Sequence, residues 1–169
     1  KGHKYMTIAV DLKTRRVIHA TDGKHAQTLG AVAGYLKSKN INPQKIEHIS
    51  MDLSPAFISG AKQYFPEAEI HFDRFHVKKL LNEAMDEVRK LERKEHDALK
   101  GHKYTFLKNP DKLSVKKKAA LNEFITLYPT LGEAYRLKIL FDDVWEMPTP
   151  EEAYAFIFAW QNEVYAHKI

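Results

Sequence analysis

The sequence predicts an α/β fold that gives way to an all-helical segment near residue 100, and three observations predict it. Strand and helix patterns alternate in the order β-β-α-β-α-β-α through the first part of the chain. After about residue 100 only helical periodicity remains. The 169 residues are 44% hydrophobic with no Cys, so the fold must rest on an apolar core and not on disulfides.

Each element has its own signal. Tyr5 to Leu12 and Arg16 to Ala20 are rich in β-branched and aromatic residues, and Lys13-Thr14-Arg15 between them predicts a hairpin turn. Leu29, Val32, Ala33 and Leu36 recur at helical spacing, predicting a helix from His25 that ends before Asn40 and Pro43. Across Ile46 to Leu53, Ile49, Met51 and Leu53 alternate with His48, Ser50 and Asp52, as in a strand with two unlike faces. Ser54 and Pro55 predict an N-cap and first helical position, and Pro66 closes that helix. Glu69 to Phe72 predicts a short strand. From Arg74 a long helix follows, with Val77, Leu80, Leu81, Ala84, Val88 and Leu91 on one stripe. Phe106 to Pro110 is expected as a loop, then helices over Ser114 to Tyr128 and Thr130 to Trp145, and a third from Thr149. Thr130 with Glu133, and Thr149 with Glu152, each have capping-box spacing. Trp145, Phe156, Phe158 and Trp160 are expected in the helical core.

Composition limits the function classes. No stretch nears the roughly 18 apolar residues of a membrane span, and the N-terminus lacks a signal-peptide pattern, so a cytoplasmic chain with no membrane partner is expected. Lys1 stands where a Met would begin a gene product, and Ile169 falls inside an apolar-periodic run. Both ends are therefore expected to continue. Net charge is +5, distributed as 10 Lys+Arg against 6 Asp+Glu over residues 1–71, 14 against 8 over 72–118, and 3 against 8 over 119–169. The basic part suits a polyanion, or is a solvated helix surface. Without Cys, metal chemistry falls to Asp, Glu and His. No phosphate-cradling Gly loop and no Gly-x-Ser-x-Gly occurs, which leaves NTPase and serine hydrolase readings without support.

Two constellations can carry chemistry. Asp52 sits at the carboxyl end of a predicted strand, where α/β sheets bind ligands, although a turn or capping role fits the same place. His71, Asp73 and His76 cluster where a strand passes into a helix; they can converge on a metal or phosphate, or Asp73 caps the helix. His-x-Asp also matches part of a two-His-one-carboxylate iron site, which usually takes its second His from far along the chain. Asp11 and Asp22 read as turn residues. Lys78, Lys79, Arg89, Lys90, Arg93 and Lys94 are expected on the outer face of the long helix, as DNA-phosphate contacts or as a solvated surface.

Several ordered strings resemble one family across essentially the whole chain. Lys1-Gly2-His3-Lys4-Tyr5 leads into the strand ending Val10-Asp11; Ser50-Met51-Asp52-Leu53-Ser54-Pro55-Ala56-Phe57 and Phe72-Asp73-Arg74-Phe75-His76-Val77 follow; Leu81-Asn82-Glu83-Ala84 and Leu107-Lys108-Asn109-Pro110 complete the set. Together they resemble the bacterial insertion-sequence transposases of the ISL3 group. The resemblance implies a ribonuclease H-like mixed sheet lacking its first strand over residues 1–100, and a helical insertion subdomain over 101–169. It implies a DDE enzyme that cleaves and joins DNA, using two Asp and one Glu to hold two Mg2+ or Mn2+ ions. Asp52 matches the second catalytic Asp, and Asp73 and His76 match an accessory Asp-x-x-His signature. The first Asp and the Glu are then expected outside residues 1–169, so this stretch alone is expected to be inactive. DNA and further copies of the chain are the implied partners. The alternative is a non-catalytic DNA-binding or protein-interaction domain derived from a transposase.

Overall fold

A computed structural model describes residues 4–168; Lys1, Gly2 and His3 of the first string, and Ile169, lie outside the described residues. The chain is mixed α/β and mostly helical, and it divides into two compact units, Lys1–Val77 and Lys78–Ile169. Among the described residues no helix is long and apolar enough to cross a membrane.

In the first unit, β1 (Met6–Asp11) and β2 (Arg16–Asp22) form the expected antiparallel hairpin. Its turn is fixed by Asp11, whose carboxylate accepts from the Lys13 and Thr14 amides at 2.9 and 3.4 Å and from the Thr14 hydroxyl at 2.7 Å. These bonds, led by the Thr14 hydroxyl, hold the Asp11 carboxyl below its usual range. Helix α1 (Ala26–Ser38) follows, then β3 (His48–Met51), α2 (Pro55–Tyr64) and β4 (Glu69–Phe72). Strands β3 and β4 pair in parallel, with α2 as their crossover.

Instead of the single mixed sheet expected, the unit holds two separate two-stranded sheets, one antiparallel and one parallel. Among the described residues no strand bridges β1 or β2 to β3 or β4, and both pairs pack against one shared core. That core gathers Val32, Ala33, Leu36 and Phe65, with Ala9, Ile18, Ile46 and Ile49 packed against them. Helix α1 runs close to α2 because both carry glycine at the crossing. A Cβ on Gly60 would lie 2.7 Å from the Ala26 carbonyl oxygen, and one on Gly30 would lie 2.7 Å from the Tyr64 ring. The other hairpin face stays open, with Met6, Ile8 and Val10 exposed.

The second unit is helical. Helix α3 (Arg74–Glu95) carries the division between the units, and α4 (Lys103–Leu107), α5 (Val115–Leu127), α6 (Pro129–Leu140) and α7 (Pro150–His167) follow. The core is Met85, Leu99, Phe106, Leu113, Leu121, Phe124, Leu131, Ala134 and Tyr135. The expected loop at Phe106 to Pro110 is corrected: its first residues end α4, because Phe106 is fully buried and pulls that turn into the core. The helix expected over Thr130 to Trp145 becomes α6 followed by a 3-10 stretch, Phe141–Glu146. Pro129 starts α6 one residue early, so Tyr128 takes the N-cap position and Thr130 makes no capping box. Glu133 instead accepts from Arg136. The Thr149 capping box does form: Thr149 Oγ1 accepts from the Glu152 amide at 3.2 Å. Phe158 is exposed, against its expected core place, whereas Trp160 donates from Nε1 to the Leu137 carbonyl at 2.8 Å.

Candidate functional site

The parallel register of β3 and β4 pairs His48 with Glu69, Ile49 with Ile70, Ser50 with His71 and Met51 with Phe72. The ladder continues one step further, since the Asp73 amide donates to the Met51 carbonyl at 3.0 Å. Asp52 and Asp73 therefore leave the carboxyl ends of neighbouring parallel strands together, the position that open α/β sheets use for ligands. Asp52 is half-buried; its Oδ1 accepts from the Ser54 amide at 3.1 Å, and its Oδ2 has no partner among the described residues. Ser54 stands at the N-cap of α2 without a side-chain cap bond, so the capping expected of its hydroxyl is corrected: Asp52 closes the turn instead. Asp73 is exposed and makes the same kind of turn, its Oδ1 accepting from the Phe75 amide at 2.9 Å, while Oδ2 lies 3.9 Å from His76 Nε2. Asp73 and His76 thus come together as their spacing suggests, with Asp73 at the head of α3.

His71 goes elsewhere. It points to the strand face that carries His48 and Glu69, with its Nε2 3.0 Å from His48 Nδ1. Among the described residues, these three form the one group of metal-ligating side chains close enough to share an ion.

The basic residues of α3 divide. Arg93 and Lys94 are exposed, and Lys79 is exposed with Glu83 3.8 Å away. Lys78 holds Asp142 at 2.9 Å, and Lys90 holds Glu87 at 2.7 Å. The outer-face placement of Arg89 is corrected: it is 4% exposed and binds Asp86, itself 6% exposed, at 2.8 Å. Burial opposes the charge on Asp86, but the Arg89 hydrogen bond and the charges of Arg89 and Lys103 outweigh it and hold the carboxyl below its usual range. Mutual neutralisation lets this pair occupy inward positions that periodicity reserves for apolar residues, and Leu80 and Leu91 of the expected stripe are exposed instead.

The family described as Transposase, the ISL3 type of DDE transposases, matches residues 1–169. The chain belongs to this transposase family. The chain is 26% identical over 175 residues to a transposase for insertion sequence element IS1001 from Bordetella parapertussis, covering 99% of this chain and 41% of the relative. It is 27% identical over 168 residues to a transposase for insertion sequence element IS1557 from Mycobacterium tuberculosis (strain CDC 1551 / Oshkosh), covering 82% of this chain and 37% of the relative. The chain thus spans about two fifths of the length of the curated relatives it matches. No solved structure matches it.

In this transposase chain, the Leu107-Lys108-Asn109-Pro110 string is a docking strip for α6 and the residues after it. Lys138 Nζ donates to the Phe106 and Leu107 carbonyls at 2.8 and 2.9 Å, and the Tyr135 hydroxyl donates to the Lys108 carbonyl at 3.0 Å. The Asn109 side chain donates from Nδ2 to Asp142 Oδ2 at 2.8 Å. Sequence reasoning passed over Glu69, and it saw in His48 only one polar position of an alternating strand. The alternation signal places both on outward faces; what it lacks is the register that sets them side by side.

Proposed function

We propose that this chain forms part of an insertion-sequence transposase that cleaves and joins DNA by metal-dependent phosphoryl transfer, and that Asp52 is one of its catalytic carboxylates. The observation that carries the reading is the placement of Asp52 at the carboxyl end of β3, half-buried, with one oxygen fixed by the Ser54 amide and the other unpartnered among the described residues. Such an oxygen suits a hard cation such as Mg2+ or Mn2+. The donor type fits, but the number does not complete a site: no third metal-ligating side chain among the described residues groups with Asp52 and Asp73. The other two carboxylates belong, on this reading, to segments before Lys1 and after Ile169. When bound, a pair of divalent ions would stabilise the attacking and leaving oxygens of an in-line displacement at phosphorus.

The chain's own residues have narrower tasks. The Asp52 turn fixes one carboxylate against the strand end. His76, beside Asp73, offers its imidazole to the DNA phosphates. Arg93 and Lys94 meet the DNA backbone, Lys78, Lys79 and Lys90 contribute less because each already lies beside a carboxylate, and Arg89 is structural. The fold on this reading is ribonuclease H-like, with a strand from the preceding segment joining the two strand pairs into one sheet. Residues 101–169 are its helical insertion, and the intact protein assembles with further copies on insertion-sequence ends in the cytoplasm.

The test is to incubate the purified chain with DNA and Mg2+ or Mn2+. DNA affinity should fall steeply as salt rises, with no strand cleavage, while Asp52→Asn in the intact transposase should abolish transposition. Cleavage by the chain alone that Asp52→Ala removes would sink the reading of an incomplete site. Salt-insensitive or absent DNA binding would favour a protein-interaction domain.

A further inference from the structure

We propose that His48, Glu69 and His71 bind one divalent transition-metal ion, with zinc the ion their donors suit best, on the outer face of the β3–β4 pair. The site is independent of Asp52. It lies at the opposite end of β3, four residues and so roughly 13 Å along the strand.

The register builds the cluster. Glu69 stands directly across from His48, and His71, two residues on, projects to the same face. Three atoms converge: His48 Nδ1 and His71 Nε2 are 3.0 Å apart, and Glu69 Oε2 lies 3.5 Å from the first and 3.6 Å from the second. The point equidistant from all three atoms of this triangle is about 2.0 Å from each, which is the length of a zinc bond to imidazole nitrogen or carboxylate oxygen. An ion at that point would meet all three donor atoms at bonding distance. The Glu69 carboxylate, within 3.6 Å of both nitrogens, adds to the imidazole pair the third donor that an ion needs. The rings do not stack, since their planes are inclined by 49°.

The donors decide the ion. Two imidazoles and one carboxylate select zinc, nickel or cobalt over Mg2+, which prefers oxygen donors and retained water. All three residues are exposed, so a fourth position is open to water. A bound ion would cross-link β3 to β4.

The experiment is a titration of the chain with Zn2+ by calorimetry and with Co2+ by visible absorption. One ion should bind per chain, undisplaced by excess Mg2+, and Zn2+ should raise the unfolding temperature with its concentration. His48→Gln and His71→Gln should each weaken binding by at least ~10-fold, and His19→Gln should leave it unchanged. In the unaltered chain, Zn2+ should shift the NMR resonances of two imidazoles only, which keeps the test valid if a variant fails to fold. No stoichiometric ion, affinity unchanged by both substitutions, shifts of other histidines, or Mg2+ competing on equal terms would overturn the proposal.

Discussion

Arg89 and Asp86 are both buried in the helical unit, and the Arg89 charge is held there by Asp86, which Lys90 at 3.5 Å and Lys103 at 3.4 Å also reach. Removing one partner leaves the full desolvation cost of the other, so Asp86→Asn should destabilise the chain by about 3 kcal/mol, read from urea unfolding. Arg89→Met in the same background should recover most of that loss, since an apolar side chain has no charge to strand. A double variant as unstable as the single one would show that Arg89 is not the reason Asp86 matters. This pair also marks a limit of sequence reading. A basic residue on a helix reads as outward by default, and nothing in the Arg89-Lys90 pair distinguishes a buried cation from an exposed one. What makes Arg89 inward is Asp86 three residues earlier, itself buried and bound to it at 2.8 Å.

Among the elements, α1 and α2 depend on two glycines where a side chain would collide with the opposing helix. Gly60→Ala places a methyl 2.7 Å from the Ala26 carbonyl oxygen and 3.1 Å from Leu29 Cβ, and should cost about 2 kcal/mol as the helices part. Gly34→Ala meets nothing within 4 Å and should be neutral or mildly stabilising, so comparing their thermal midpoints isolates the crossing from helix propensity. The helices themselves are legible in the sequence, because Leu29, Val32, Ala33 and Leu36 bury one face and Pro55, Pro129 and Pro150 fix starting points. Strand β4 is legible to the residue. What escapes is whatever depends on distant partners. The helical turn at Lys103–Leu107 exists because Phe106 finds a core, and the His48–His71 contact spans 23 residues. Asp52 is the intermediate case: strand alternation gives its position, while the Ser54 amide that orients it is visible only in the fold.

At the scale of the whole molecule, Lys138, 7% exposed, contributes to how stability changes in alkali. Burial pushes its ammonium down from 10.5 to about 8, reinforced by Lys78 and opposed by Asp142. Between those values the unfolded chain keeps a proton that the fold releases, so this group makes the protein more stable as pH rises from about 8 toward 10.5. Urea midpoints should show that rise, and Lys138→Gln should flatten it. Tyr135 acts later and with the opposite sign: burial, then the Asp111 charge, raise its hydroxyl from 10.0 to about 12, so its contribution fades only above pH 10.

The parallel pairing of β3 with β4 reaches beyond the site it builds. Side chains alternate with a period of two, so the register that turns Ile49 toward the helices also turns His48 outward. A slip of one residue would expose the isoleucine and scatter the two imidazoles and the carboxylate in the same stroke. Ion affinity on this face is then a gauge of folding. A refolding chain would acquire it only once α2 has carried β4 back alongside β3 in the native alignment, so a cobalt spectrum recorded during refolding would time that closure.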